Sequence, residues 1–263
     1  MPLAFSSEGS GAAVLLLHGQ CASRVVWYRL QPMLSAAGFQ VIVVDRPGYG
    51  ETTDAAAGFE ANARAAFSVL DRLGVDRVTV FGHSWSGAVA VLMALRQPAR
   101  IRGLVLQGSI GGTGSVTVLD RVLALPGVGE LAFLVGLRAV VRAMQFEPVR
   151  RRIAPELVAL PRSQLAAIAA LWSRRRTAYS GACEQRALVA ELPAVQAQLA
   201  AVRTPVEVLI GRDDVRVRPP SQRDLAARLP YAEVVEVDGG HLLAVEAPDQ
   251  VVAAIRLAMA RAA

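Results

Sequence analysis

Gly82-His83-Ser84-Trp85-Ser86-Gly87 stands between an apolar, β-branched run, Arg77 to Phe81 (RVTVF), and an apolar run of helical length, Ala88 to Leu95 (AVAVLMAL). The first run suits a buried strand and the second a buried helix, so the six residues fall on a sharp strand-to-helix turn. A turn this tight needs small residues two positions before and two after its apex, because strand end and helix start nearly touch there. With Ser84 at the apex, Gly82 and Ser86 meet that need. Ser86 flanked by Ser84 and Ala88 is a second register. Ser84 is favoured, because Ser86 falls in the first helical turn, where its hydroxyl has local backbone groups to bond. Taken alone, the pattern also fits an ordinary βα turn with a capping serine.

Outward from this turn the chain alternates. Gly11 to Leu17 (GAAVLLL) reads as a buried parallel strand ending at His18-Gly19, and a helix is predicted from about Arg24 to Ala37. Phe39 to Val44 is the next strand, followed by the turn-rich Asp45-Arg46-Pro47-Gly48-Tyr49-Gly50 and a helix from Phe59 to Leu73. Beyond the helix at 86 to about 96, Ile101 to Leu106 is again a strand. From Gly112 to Arg186 there is no strand pattern, only apolar and arginine-rich helical stretches punctuated by Pro126, Pro148, Pro155 and Pro161. The alternation then resumes: a helix from Leu188 to Ala201, strand Pro205 to Ile210, a helix near Ser221 to Leu229, strand Ala232 to Val237 and a last helix from Asp249 to Ala262. This is the pattern of a doubly wound, mostly parallel α/β sheet. Residues 1–111 and 187–263 form its core, and 112–186 is a helical insertion expected to cap the carboxyl ends of the strands.

The chain has 263 residues, of which 53% are hydrophobic, enough for a full core and too apolar for disorder. Cys21 and Cys183 lie far apart with no metal-ligand spacing, and the N-terminus shows no signal-like run; a reduced, cytoplasmic protein without metal or cofactor is expected. The most apolar stretch, Val122 to Val141, is interrupted by Pro126, Gly127, Gly129, Glu130 and Arg138, which argues against a membrane span. All 28 basic residues are arginine, and the net charge is +6.

A serine hydroxyl becomes a competent nucleophile only when a base takes its proton, and that base needs a third group to fix its tautomer. The histidines are His18, His83 and His241. His18 ends a strand beside the turn, and His83 immediately precedes Ser84, where successive side chains diverge. His241, in the loop Asp238-Gly239-Gly240-His241, is free to reach over the sheet end and is the best base. Gly211-Arg212-Asp213-Asp214 follows a strand and offers the orienting acid, with Asp214 favoured and Asp213 its rival. Arg212 and Arg216 are expected to hold both carboxylates ionised. The backbone N–H groups of Gln20 and Trp85 are the candidate donors to an oxyanion.

With these residues in place, His18-Gly19, the Asp45–Gly50 loop, the 82–87 turn, Gly211–Asp214, and Gly240-His241 followed by Glu246-Ala247-Pro248 together resemble the α/β-hydrolase fold superfamily, in its order of nucleophile, acid and histidine. The resemblance spans nearly the whole chain and implies Ser84, Asp214 and His241 as triad, with Gln20 and Trp85 as oxyanion donors. Two positions depart from the family pattern: Ser86 replaces a usual glycine, and Gln20 replaces an apolar residue. The short N-terminal sequence implies that the family's first strand is reduced or missing.

A serine at the apex argues against the dehalogenase and epoxide hydrolase branches, whose nucleophile is a carboxylate. Carboxylic ester hydrolysis through an acyl-enzyme is the leading expectation. C–C bond hydrolases resemble the chain in layout, but Gln20-Cys21-Ala22-Ser23 and Leu242 stand where they carry a glycine-rich loop and a tryptophan. Thioesterase, lactonase and cofactor-free perhydrolase activities need the same triad, and a hydrolase-fold ligand receptor would keep the pocket without turnover. His18, Leu131, Phe133, Leu134, Leu137 and Trp172 are candidate substrate contacts, with cap core as the plainer reading of most.

The insertion holds eleven arginines against five acids, Asp120, Glu130, Glu147, Glu156 and Glu184, so it accounts for the entire net charge. Arg150-Arg151-Arg152 and Arg174-Arg175-Arg176 are its densest points. No nucleic-acid motif accompanies them, and an anionic partner at the cap is expected instead: an acyl carrier, a coenzyme A ester or an anionic lipid surface. In charge, such a cap resembles that of the pimeloyl-carrier methyl ester esterases.

Overall fold

Seven strands among the described residues form one sheet: β1 (Phe5–Glu8), β2 (Ala12–Leu17), β3 (Phe39–Val44), β4 (Val78–His83), β5 (Ile101–Gln107), β6 (Val206–Gly211) and β7 (Ala232–Val237). The computed structural model describes residues 3–153, 157–158 and 160–261, so Pro155 and Glu156 lie outside the described residues. The strand order is β1-β3-β2-β4-β5-β6-β7, with β1 antiparallel to β3 and every other pair parallel. β1 is a four-residue strand at the edge of the sheet.

Alternation within the strands sends side chains to two cores, as expected of a sheet covered on both faces. Leu15 and Leu17 pack with Phe67 of α2 (Phe59–Arg72) and Val89 of α3 (Ser86–Arg96), while Val14 and Leu16 pack with Leu30 of α1 (Leu30–Ala36) and Ile255 of α11 (Pro248–Ala260). Because the central strands are parallel, the loops after β2, β4, β5, β6 and β7 all emerge at one edge of the sheet.

The helices of the insertion are α4 (Val118–Leu123), α5 (Val128–Ala143), α6 (Glu147–Ile153), α7 (Arg162–Ser173) and α8 (Arg175–Gln196); α9 (Pro219–Ala227) and α10 (Leu243–Glu246) follow. No described helix is long and apolar enough to cross a membrane.

Two helices differ from expectation. The stretch 24–37 splits into a 3-10 turn at Arg24–Trp27 and α1, because the Arg24 N–H bonds Asp45 Oδ1 at 2.8 Å and anchors the turn to the loop after β3. The helix expected from Leu188 starts at Arg175 and runs unbroken to Gln196, so position 186 lies inside a helix. One continuous face explains this. Ala178, Ala182, Glu184 and Gln185 are buried near one end, and Leu188, Leu192 and Val195 join the main core near the other.

Candidate active site

Ser84 sits between the last residue of β4 and the first turn of α3, with φ +56°. Only Cys21 shares such a left-handed backbone among the described non-glycine residues, and an L-residue pays roughly 1–2 kcal/mol for it. The turn is as close as the sequence requires: a Cβ on Gly82 would lie 2.8 Å from the Ser86 carbonyl oxygen and 3.0 Å from the Ala90 Cβ. Ser86 is tolerated because its side chain points elsewhere. It is fully buried, and its hydroxyl donates to the His18 carbonyl at 2.5 Å, a contact across the sheet edge rather than the local bond expected. Ser84 is half-buried and its carbonyl accepts from the Ile110 N–H at 3.3 Å.

His241 and Asp214 meet as the sequence suggested. His241 Nδ1 lies 2.8 Å from Asp214 Oδ2, while Asp213 is exposed. The N–H groups of Arg216 and Val217 donate to Asp214 Oδ1 at 2.9 and 3.0 Å, and Gln222 Nε2 donates to Oδ2 at 3.1 Å. Burial raises the Asp214 carboxyl, but the bond and charge of His241 and the two backbone N–H groups outweigh it and hold the group below the usual carboxylate range. Arg212 does not take the role expected of it, since its guanidinium pairs with Asp238 and Glu236. Arg216 reaches Asp214 through its backbone.

The loop carrying His241 is pinned by groups that were not singled out for it. The His241 carbonyl accepts from His83 Nε2 and Gln107 Nε2, both at 2.9 Å, and Glu246 accepts from the N–H groups of Gly240 and Leu242. Burial and the neighbouring His241 push His83 down to about 3, so its ring is neutral at physiological pH. The β5 sequence IRGLVLQ carries the one available signal: a glutamine closing an apolar strand at the edge where the loops gather. Gly108, next in the chain, is packed so closely that a Cβ there would lie 3.0 Å from His241 Nδ1 and 3.2 Å from Asp214 Oδ2.

On the other side of Ser84 lies the segment His18-Gly19-Gln20. A Cβ on Gly19 would lie 3.0 Å from the Ser84 Cβ. Both carbonyls before Gln20 are held twice. The His18 carbonyl accepts from Ser86 Oγ and from Arg46 Nε at 2.8 Å; the Gly19 carbonyl accepts from Arg46 Nη2 and His18 Nδ1, each at 2.9 Å. The Arg46 N–H bonds His18 Nε2 at 3.1 Å, which fixes the His18 tautomer. Arg46 is itself buried, paired with the buried Glu184 of α8, and its guanidinium lies 4.7 Å from the centroid of the Trp85 ring. Tyr49 completes the pair by donating to Glu184 Oε2 at 2.7 Å. Among the turn and loop backbone bonds of the described residues, none is donated by the N–H of Gln20 or Trp85.

The remaining candidates separate. His18 is not a substrate contact: it is fully buried, both ring nitrogens are engaged, and burial with the Arg46 charge holds it well below the usual imidazole value. Leu131 is turned outward and exposed, because the side of α5 facing α8 is taken by Gly129 and Phe133. Phe133, Leu134, Leu137 and Trp172 are half-buried, and the Trp172 indole N–H donates to the Cys21 carbonyl at 2.7 Å. The Gln20 side chain, the second departure from the family pattern, donates to the Gly181 carbonyl of α8 at 2.9 Å. Both cysteines are free, and burial and Glu184 push the Cys21 thiol up to about 12, which makes it inert. In the basic triplets, Arg176 bonds the Asp54 carbonyl and Arg151 pairs with Glu147, so part of that charge braces local structure.

The chain is 40% identical over 117 residues to a 2-hydroxy-6-oxononadienedioate/2-hydroxy-6-oxononatrienedioate hydrolase of Cupriavidus pinatubonensis, a match covering 41% of this chain and 39% of that protein. It is 34% identical over 144 residues to an uncharacterized protein of Mycobacterium bovis, covering 54% of this chain and 42% of the relative. The chain therefore spans about two fifths of the length of these curated relatives. A thermophilic esterase from Thermogutta terrifontis, solved with malate bound, superposes with a TM-score of 0.75 at 25% identity, covering 99% of this chain and 93% of the esterase. A family model described as the alpha/beta hydrolase fold matches residues 12–248, a span that takes in the strained Ser84, the Asp214–His241 pair and the pinned Gln20 loop, and the chain belongs to that family.

Proposed function

We propose that the protein hydrolyses carboxylic esters through an acyl-enzyme, with Ser84 as nucleophile, His241 as base and Asp214 as orienting acid. The observation that carries this reading is the 2.8 Å bond between His241 Nδ1 and a buried, ionised Asp214, beside a serine held at positive φ. Asp214 stays ionised and accepts a hydrogen bond from Nδ1–H, which fixes the tautomer and leaves Nε2 free to take a proton. Ser84 Oγ attacks the ester carbonyl carbon as its proton passes to His241 Nε2, and the carbonyl oxygen becomes an oxyanion bound by the N–H groups of Gln20 and Trp85. Collapse breaks the C–O bond, and the alcohol leaves with the proton from His241. Water, deprotonated by the same nitrogen, then releases the acid and restores Ser84.

Arg46 has a positioning role in this scheme. The Gly19 carbonyl and the Gln20 N–H belong to one planar trans peptide and point in opposite directions. Two donors on that carbonyl, from Arg46 and His18, therefore aim the Gln20 N–H and polarise it. In this reading the helices of residues 112–186 act as a cap on the core, and Glu184 links that cap to the oxyanion donor through Arg46.

Cleavage of a C–C bond or a lactone uses the same five residues. The 40% identity to the Cupriavidus hydrolase favours that second reading. A panel of p-nitrophenyl esters of increasing acyl length, a lactone and a 2-hydroxy-6-oxodienoate, with Ser84→Ala as the blank, separates them. Ester turnover that disappears in the blank supports the proposal; cleavage of the dienoate alone overturns it in favour of the second.

A further inference from the structure

The cap helices α4 and α5 carry large apolar side chains on the outside. Val118 and Leu119 of α4 are 78% and 64% exposed, and Leu125, just after the helix, is exposed as well. On α5, Val128, Leu131 and Val135 share one stripe at helical spacing, with Leu131 and Val135 62% and 58% exposed. Fifteen large apolar side chains are exposed among the described residues, and seven of them fall between 118 and 135. Such clustering differs from the single apolar residues scattered over ordinary surfaces.

The charge on this face is one-sided. Arg138 and Arg142 continue the α5 stripe and Arg121 stands between Leu119 and Val122; all three are exposed, and none is paired with a carboxylate among the described residues. The two acids of the region are engaged at helix ends and on α8. Asp120 accepts from the N–H and hydroxyl of Thr117 and from Gln185, and Glu130 accepts from the Gly127 N–H and pairs with Arg186. An apolar stripe bordered by unpaired arginines, with its acids turned away, is the composition of a helix that lies in a membrane interface.

We propose that the α4–α5 face docks on an anionic lipid bilayer. The valines and leucines enter the acyl boundary, and Arg121, Arg138 and Arg142 meet headgroup phosphates. A second copy of the chain fits this face poorly, since a two-fold contact would set one copy's arginines against the other's. Docking would bring the cap to esters with apolar acyl chains dissolved in the bilayer. That substrate class rests on the hydrolase reading, whereas docking itself does not.

The test is co-sedimentation of the full chain with vesicles of phosphatidylglycerol and phosphatidylcholine in equal parts, against phosphatidylcholine alone, at low and high salt. Binding is expected on the anionic vesicles, weaker at high salt, and lost in Leu119→Ser/Leu125→Ser/Val135→Ser. Arg121→Ser/Arg138→Ser/Arg142→Ser should weaken it on the order of a hundredfold. Both triple variants should keep the wild-type circular dichroism spectrum and the wild-type rate on a short, soluble ester. Failure to bind either vesicle, equal binding to both, or a wild-type dimer that the leucine variant abolishes overturns the proposal. Ser84→Ala must bind as the wild type does; if it binds while the wild type cleaves no ester, docking stands and the hydrolase reading falls.

Discussion

At Ser84 a backbone conformation that L-residues avoid coincides with the one side chain that the turn presents at its apex. Ser84→Gly should therefore be more stable than Ser84→Ala by about 1 kcal/mol in urea denaturation, while both are inactive. Equal stabilities would mean that the strain is not real. Ser86→Ala loses a buried bond to His18 rather than the nucleophile, so it should keep most turnover and lower stability by about 1 kcal/mol. Asp214→Asn should depress kcat by roughly 10⁴-fold through the wrong histidine tautomer, and the exposed Asp213→Asn should do far less. Arg46→Lys keeps the charge but not the fork that reaches both carbonyls before Gln20. We expect it to lower kcat about tenfold or more with KM nearly unchanged, because an oxyanion donor acts mainly in the transition state.

The element that ties the molecule together at this edge is α8, whose Glu184 and Gly181 reach the loops after β2 and β3. Burial raises the Glu184 carboxyl, while Arg46 and Tyr49 pull it back. Removing one partner of such a pair leaves the other buried and uncompensated, so Glu184→Leu should destabilise by about 3–5 kcal/mol. The double variant Arg46→Met/Glu184→Leu should recover much of that loss without recovering activity, which chemical denaturation and an ester assay read separately. None of this pair was legible as a pair. Arg46 stood in a turn-rich motif that the sequence marks, but a glutamate on a long helix looks like any solvated charge until its partner, 138 positions away, is known. By contrast β2, β4 and β6 declare themselves through short apolar runs, and α3 through the small residues at its start, because those signals are local.

For the whole molecule, two buried histidines set the response to acid. His83 falls from 6.5 to about 3 on folding and His18 also falls well below 6.5, so both are neutral in the folded protein and become charged when it unfolds in acid. Neither costs stability above pH 6.5; below it the folded state is progressively disfavoured, and for His83 the loss runs down to about 3 with a slope approaching about 1.4 kcal/mol per pH unit. Asp214, lowered in the fold, adds to the loss at the acid end. Urea midpoints measured across this range should fall steeply for the wild type and less steeply for His83→Gln. The sheet and the strand-end positions of Ser84, Asp214 and His241 were readable because spacing along the chain encodes them; the burial of His18 and the outward turn of Leu131 were not, since both depend on which neighbours fill the space first. The proposed chemistry comes down to one atom, Ser84 Oγ. Incubation with a fluorophosphonate followed by peptide mass spectrometry should place a single adduct on Ser84, abolished by His241→Ala as well as by Ser84→Ala. An adduct on Ser86, or none on a protein that still cleaves esters, would contradict it.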